Sequence, residues 1–171
     1  NATYNTRLLV ANGVVMSKVM YLITVWGGAQ QYLLKGLLVQ QLTAARTVCG
    51  FYSRGWSKKK LLDRVGWLSI RQLIYFHTVL QAHKTISSGK PSVIHNSIST
   101  QHPYNTRRAA TGHIRFGETF HGDSSLIAAS FKHRAVHWYN DVPVSVRTGS
   151  LATVKNKMKK WIKQNVPLDW G

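Results

Sequence analysis

The sequence predicts a mainly α fold: a helical bundle, then a small α+β module with a possible β-hairpin and a basic C-terminal helix. Three observations predict it. Apolar residues recur every three or four positions over long stretches. Serines stand where those stretches begin and glycines where they end. Apolar residues make up 44% of the 171, with six Trp, seven Tyr and five Phe, ample material for a core, and a chain of this length should bury roughly 70% of its unfolded surface in one or two compact units.

Taken in order, Leu8, Leu9, Val15, Val19, Leu22 and Ile23 predict a long helix from Tyr4 to Trp26, interrupted near Gly13 and stopped by Gly27-Gly28. Leu33, Leu34, Leu37, Leu38 and Leu42 predict a second, from about Gln30 to Cys49, with Gly50 as its cap. Ser57 is placed to cap a short helix over Lys58 to Val65. Ser69 is placed to cap a longer one in which Leu73, Ile74, His77, Leu80 and Lys84 share a face. The run Ser87-Ser88-Gly89-Lys90-Pro91 breaks that helix, and no period is sustained to about His102, which predicts a linker over 89–103 between a bundle at 1–88 and a module at 104–171. Tyr104 to Ala109 and His113 to Thr119, separated by Thr111-Gly112, read as the two arms of a hairpin. Phe131 to Tyr139 reads as a helix ended by Pro143. Ser150 begins a last helix with Leu151, Val154, Met158, Trp161 and Ile162 on one stripe.

Charge carries the functional signal. Lys and Arg number 23 against five acids, Asp63, Glu118, Asp123, Asp141 and Asp169, for a formal net charge of +18. No acid occurs before Asp63, and the bases run along the whole chain, so a folded body and not a tail carries the field. A phosphate backbone is the expected partner, because each neutralised phosphate releases condensed counterions. The densest cluster is Arg54, Lys58, Lys59, Lys60, Arg64 and Arg71, interleaved with Trp56. Arg107, Arg108 and Arg115 fall on the hairpin beside Tyr104 and Phe116. Lys155 and Lys159 stand with Lys157, Lys160 and Lys163 on the last helix. Arg supplies a fork of donors, Lys a mobile point charge, and rings can stack on bases or sugars.

Other chemistries fit less well. Metal-dependent nucleotidyl transfer needs clustered carboxylates, and the closest two acids, Glu118 and Asp123, sit in a loop-like stretch. His133 and His137 share a helical face like paired zinc ligands, with His121 or His113 as a third, but residue 134 is Arg where a zincin has Glu. Cys49, the one cysteine, lies on an apolar helix end, as an inert structural thiol does, and permits no internal disulfide. No phosphate-cradling glycine loop is present. No apolar run reaches a membrane span and the N-terminus does not read as a signal peptide, so the expected setting is intracellular, in nucleus or cytoplasm, with no membrane partner and no cofactor.

Several segments also resemble a known family, in that family's order. They are Gly13-Val14-Val15-Met16-Ser17-Lys18-Val19-Met20-Tyr21, Val25-Trp26-Gly27, and Leu38 to Arg46 ending near Gly50. Leu61 to Gln72 and Tyr104-Asn105-Thr106-Arg107 come next, followed by Trp138-Tyr139-Asn140-Asp141-Val142-Pro143 with Val146-Arg147 and a Lys-rich helix. Together they resemble the C-terminal part of reverse transcriptases of non-LTR (LINE-like, jockey-type) retrotransposons, downstream of the palm, over nearly the whole chain. Tyr139 is an extra residue between Trp138 and Asn140, and Val142 stands where the family has Leu.

The resemblance implies a thumb-like bundle that grips primer and template, and an upstream palm as partner. No counterpart of the family's catalytic aspartates is present, which implies that these residues do not polymerise on their own. The readings left beside it are a generic basic RNA-binding structural protein and a histidine-based zinc protein or nuclease.

Overall fold

A computed structural model of the chain describes residues 2–50, 53–99, 112–116 and 130–170. The protein is mainly helical. It divides into two compact units, one formed by 1–74 with 163–171 and one by 75–162.

The first unit begins with α1 (Tyr4–Ala11), capped by the Thr3 hydroxyl, which accepts from the Thr6 N–H at 3.3 Å. A π-helical turn over Asn12–Met16 carries Gly13, and α2 (Ser17–Met20) continues from it. The expected single helix breaks a second time at Leu22, whose φ of 49° is left-handed. Such a conformation is costly for a leucine. Here the Trp26 indole holds the turn, its Nε1 donating to the Tyr21 carbonyl at 2.7 Å. The short α3 (Ile23–Trp26) precedes α4 (Gln31–Cys49), which packs on α1 and on α5 (Lys58–Val65).

The core of this unit draws Leu34, Leu38, Leu42, Ala45 and Val48 from α4 and Leu61, Leu62 and Val65 from α5. Leu33 and Leu9, expected on the apolar stripes, are exposed. Gln41 is fully buried among them, and its Nε2 donates to the Leu68 carbonyl at 2.8 Å, tying α4 to the turn after α5.

The predicted start and stop of α5 are both present. The Ser57 hydroxyl accepts from the Lys60 N–H at 3.3 Å, and Gly66 (φ 75°) closes the other end while the Trp67 N–H returns to the Leu62 carbonyl. Next comes α6 (Ile70–Ser88), opened by a reciprocal cap in which Ser69 Oγ accepts from the Gln72 N–H and Gln72 Oε1 from the Ser69 N–H, both at 3.2 Å.

The second unit takes the rest of α6 and adds α7 (Ser92–Ser97), β1 (Ile98–Ser99), β2 (Arg115–Phe116), α8 (Phe131–Asp141), α9 (Val144–Arg147) and, as far as Ile162, α10 (Leu151–Asn165). Residues 92–99 of the expected linker are thus helix and strand. The first arm of the expected hairpin, Tyr104 to Ala109, lies outside the described residues. Of its second arm, Arg115–Phe116 pair antiparallel with β1, Ile98 opposite Phe116 and Ser99 opposite Arg115. Ser130 and Ser150 cap α8 and α10, each accepting at 3.3 Å from the N–H three residues on. Val154, Met158 and Ile162 of α10 are buried, as are Val79, Leu80, Ala135 and Val142, while Leu151 is largely exposed.

Candidate nucleic-acid interface

Helix α5 shows why a basic surface forms where it does. Leu61, Leu62 and Val65 share one face and are buried, so Lys58, Lys59, Lys60 and Arg64 are turned to solvent. The Lys60 ammonium lies 4.5 Å from the Trp56 ring centroid, and the Arg64 guanidinium 5.3 Å from that of Tyr4. Tyr4 is fastened in turn, its hydroxyl donating to the Arg64 carbonyl at 2.9 Å. Aromatic seats of this kind hold cations by the ring quadrupole and fix their direction.

The two acids of this unit lie among those bases. Asp169 Oδ2 is 2.6 Å from Lys58 Nζ, and the Asp169 carbonyl accepts from Arg71 Nη1 at 2.5 Å. Asp63 Oδ1 is 2.8 Å from Lys163 Nζ. Lys59 and Lys163 border a cleft of about 440 Å³ whose walls include Trp67, Leu62 and the 166–168 segment. Arg54 is exposed, just ahead of α5. All six bases predicted in this cluster are therefore in one unit, and the structure adds Lys163, which lies 100 residues from Asp63 in the chain. No spacing rule could have found that pairing.

The remaining predicted bases belong to the second unit or lie outside the described residues, as Arg107 and Arg108 do. Arg115 is exposed on β2. Lys155 and Lys159 are exposed on α10, with the Lys159 ammonium 5.8 Å from the Phe76 ring centroid. Burial, then the positive fields of Lys84, Lys159 and Lys155, push the pKa of His77 below its ordinary value. Lys157 caps α9, donating to the carbonyls of Ser145 at 2.9 Å and Thr148 at 3.3 Å.

The residues of the Trp138 to Arg147 motif are occupied with architecture. Trp138 stacks on Tyr75 at 4.8 Å, and the Tyr75 hydroxyl donates to the Trp138 carbonyl at 3.0 Å. The Asn140 amide grips Ile114 from both sides, Nδ2 donating to its carbonyl at 2.8 Å and Oδ1 accepting from its N–H at 2.9 Å. Arg147 is buried, its guanidinium 4.5 Å from the centroid of the buried Tyr139 ring, with Nη1 donating to the Gly112 carbonyl at 3.1 Å. Tyr139 is thus the seat of Arg147.

The rings of His133 and His137 are 4.3 Å apart, and burial together with His137 lowers the His133 pKa. Among the described residues no group of three or more His, Cys, Asp or Glu is placed to hold a metal. Burial raises the pKa of the Cys49 thiol against the opposing fields of Arg64 and Arg7. Among the described residues no helix is long and apolar enough to cross a membrane.

Compared with known proteins, the chain matches no family model, no curated protein and no solved structure.

Proposed function

We propose that these residues are the nucleic-acid-binding thumb and post-thumb region of a retrotransposon reverse transcriptase, working inside the cell, in nucleus or cytoplasm, alongside a palm domain that supplies the chemistry. On this reading the chain is not an enzyme on its own. Phosphates of a primer-template would be held by Lys58, Lys59, Lys60, Arg64, Arg54 and Arg71. The observation that carries the reading is α5: four bases on the solvent face of one capped helix, two of them seated on aromatic rings, in a chain with a formal net charge of +18. The motif order from Gly13 to Arg147 supports the family part of the reading, and the exposed cations support the binding part.

The experiment is fluorescence-anisotropy titration against an RNA–DNA hybrid with a recessed primer end, duplex DNA and single-stranded RNA, each at several salt concentrations. The expected result is tightest binding to the primer-template. Log affinity should fall against log salt with a slope of about 0.9 per phosphate held. Equal binding to all three forms would leave a generic polyanion binder, and no binding by folded protein would remove both readings.

A further inference from the structure

The segment that follows α10 returns to the basic cluster and places an acid on it. Gln72, buried at the start of α6, donates through Nε2 to the Val166 carbonyl at 2.9 Å and anchors the segment there. Three residues on, the Asp169 carboxylate is 2.6 Å from Lys58 Nζ, while its main-chain carbonyl takes the Arg71 Nη1 donor at 2.5 Å. A carboxylate against a lysine and an oxygen against an arginine reproduce the contacts a phosphodiester makes, one oxygen to each cation. We propose that Lys58 and Arg71 form a phosphate site which the 166–170 segment occupies through Asp169, so that this segment and a bound strand compete for the same two cations. The inference rests on the nucleic-acid reading and adds a regulation to it.

Two features suit the segment to that role. Its anchor is buried, whereas the competing contact is open, with the side chains of Lys58 and Asp169 54% and 35% exposed. An ion pair that exposed is weak and exchanges readily, yet the tether keeps the carboxylate at an effective concentration on the order of millimolar. A phosphate can therefore displace it, but only in competition with a resident anion. The segment also walls the cleft bordered by Lys59 and Lys163, through Val166, Pro167 and Leu168.

The test is the full chain, as wild type and as Asp169→Asn, titrated with the recessed RNA–DNA hybrid over a series of salt concentrations. Asp141→Asn, which removes the same charge from an exposed position in the other unit, serves as control. Asp169→Asn is expected to bind about two- to fivefold tighter at low salt, the worth of one exposed ion pair, and to steepen the salt slope by about 0.9. Adding Lys58→Met should abolish the gain. Wild-type binding that Asp169→Asn leaves unchanged, or that Asp141→Asn improves equally, overturns the inference alone. Absence of binding by every variant overturns the nucleic-acid reading and this inference with it.

Discussion

The two units share the bases of the chain almost evenly but use them differently. In the first, the cations of α5 are exposed, two rest on aromatic rings, and Asp169 meets Lys58 at the surface. In the second, Arg134 and Arg147 are buried, with guanidinium groups 5.6 Å and 4.5 Å from the ring centroids of Trp138 and Tyr139, and all eight histidines belong to this unit. Part of the formal charge of +18 therefore sits on guanidinium groups packed into the second unit, which contribute field without offering a surface contact.

The sharpest way to break this comparison is charge reversal. Converting Lys58, Lys59 and Lys60 to Glu should weaken nucleic-acid binding by about a hundredfold at low salt and flatten the salt slope by about 0.9 for each phosphate no longer held. Lys155→Glu with Lys159→Glu should cost about tenfold. Anisotropy titration measures both, and a larger drop in affinity from the second pair would reverse the assignment of roles.

Next in size is Arg147→Met, which removes a charge-assisted hydrogen bond to Gly112 and the cation over Tyr139. Unfolding in denaturant should show destabilisation by about 2–3 kcal/mol, with the salt slope of binding unchanged. A changed slope with intact stability would make Arg147 a phosphate ligand.

The smallest effect is the response to acid. The pKa values of His77, His83 and His133 are all lowered, burial being the first cause for each, with Arg147 adding at His83. The folded state therefore favours neutral imidazole. The contribution is complete above the ordinary value of 6.5 and is lost as pH falls below it, because the unfolded chain takes up protons first. Hydrogen exchange between pH 7.5 and 5 should show the second unit opening before the first, which has no histidine. Equal opening of both units would count against it.

What the sequence made legible was local. Ser57, the Leu61–Leu62–Val65 face and Gly66 lie within ten residues, and the helix they specify is present to the residue. The exposed bases of α5 follow from it, because an amphipathic helix that buries one face must show the other. Illegible were the features joined over long separations. Lys58 and Asp169 are 111 residues apart, and the burial of Arg147 depends on Gly112, 35 residues away. Periodicity also misplaced Leu9 and Leu33, because a stripe one residue too wide reads the same in one dimension. The break at Leu22 had no glycine or proline to mark it, and its support comes from the Trp26 indole. The motif from Trp138 to Arg147 was legible as a pattern, but its work, clasping Ile114 and seating an arginine, emerged only in three dimensions.

The ring seats on α5 have a thermodynamic consequence. A long basic side chain gives up roughly 1.5–2 kcal/mol of rotamer entropy when it is fixed. Lys60 on Trp56 and Arg64 on Tyr4 surrender part of that freedom when the chain folds, before any strand arrives. Phosphates held by these two should show a smaller entropic penalty in calorimetry than phosphates held by bases that wave freely in solvent, and replacing Trp56 with a non-aromatic residue should move that penalty back to the moment of binding.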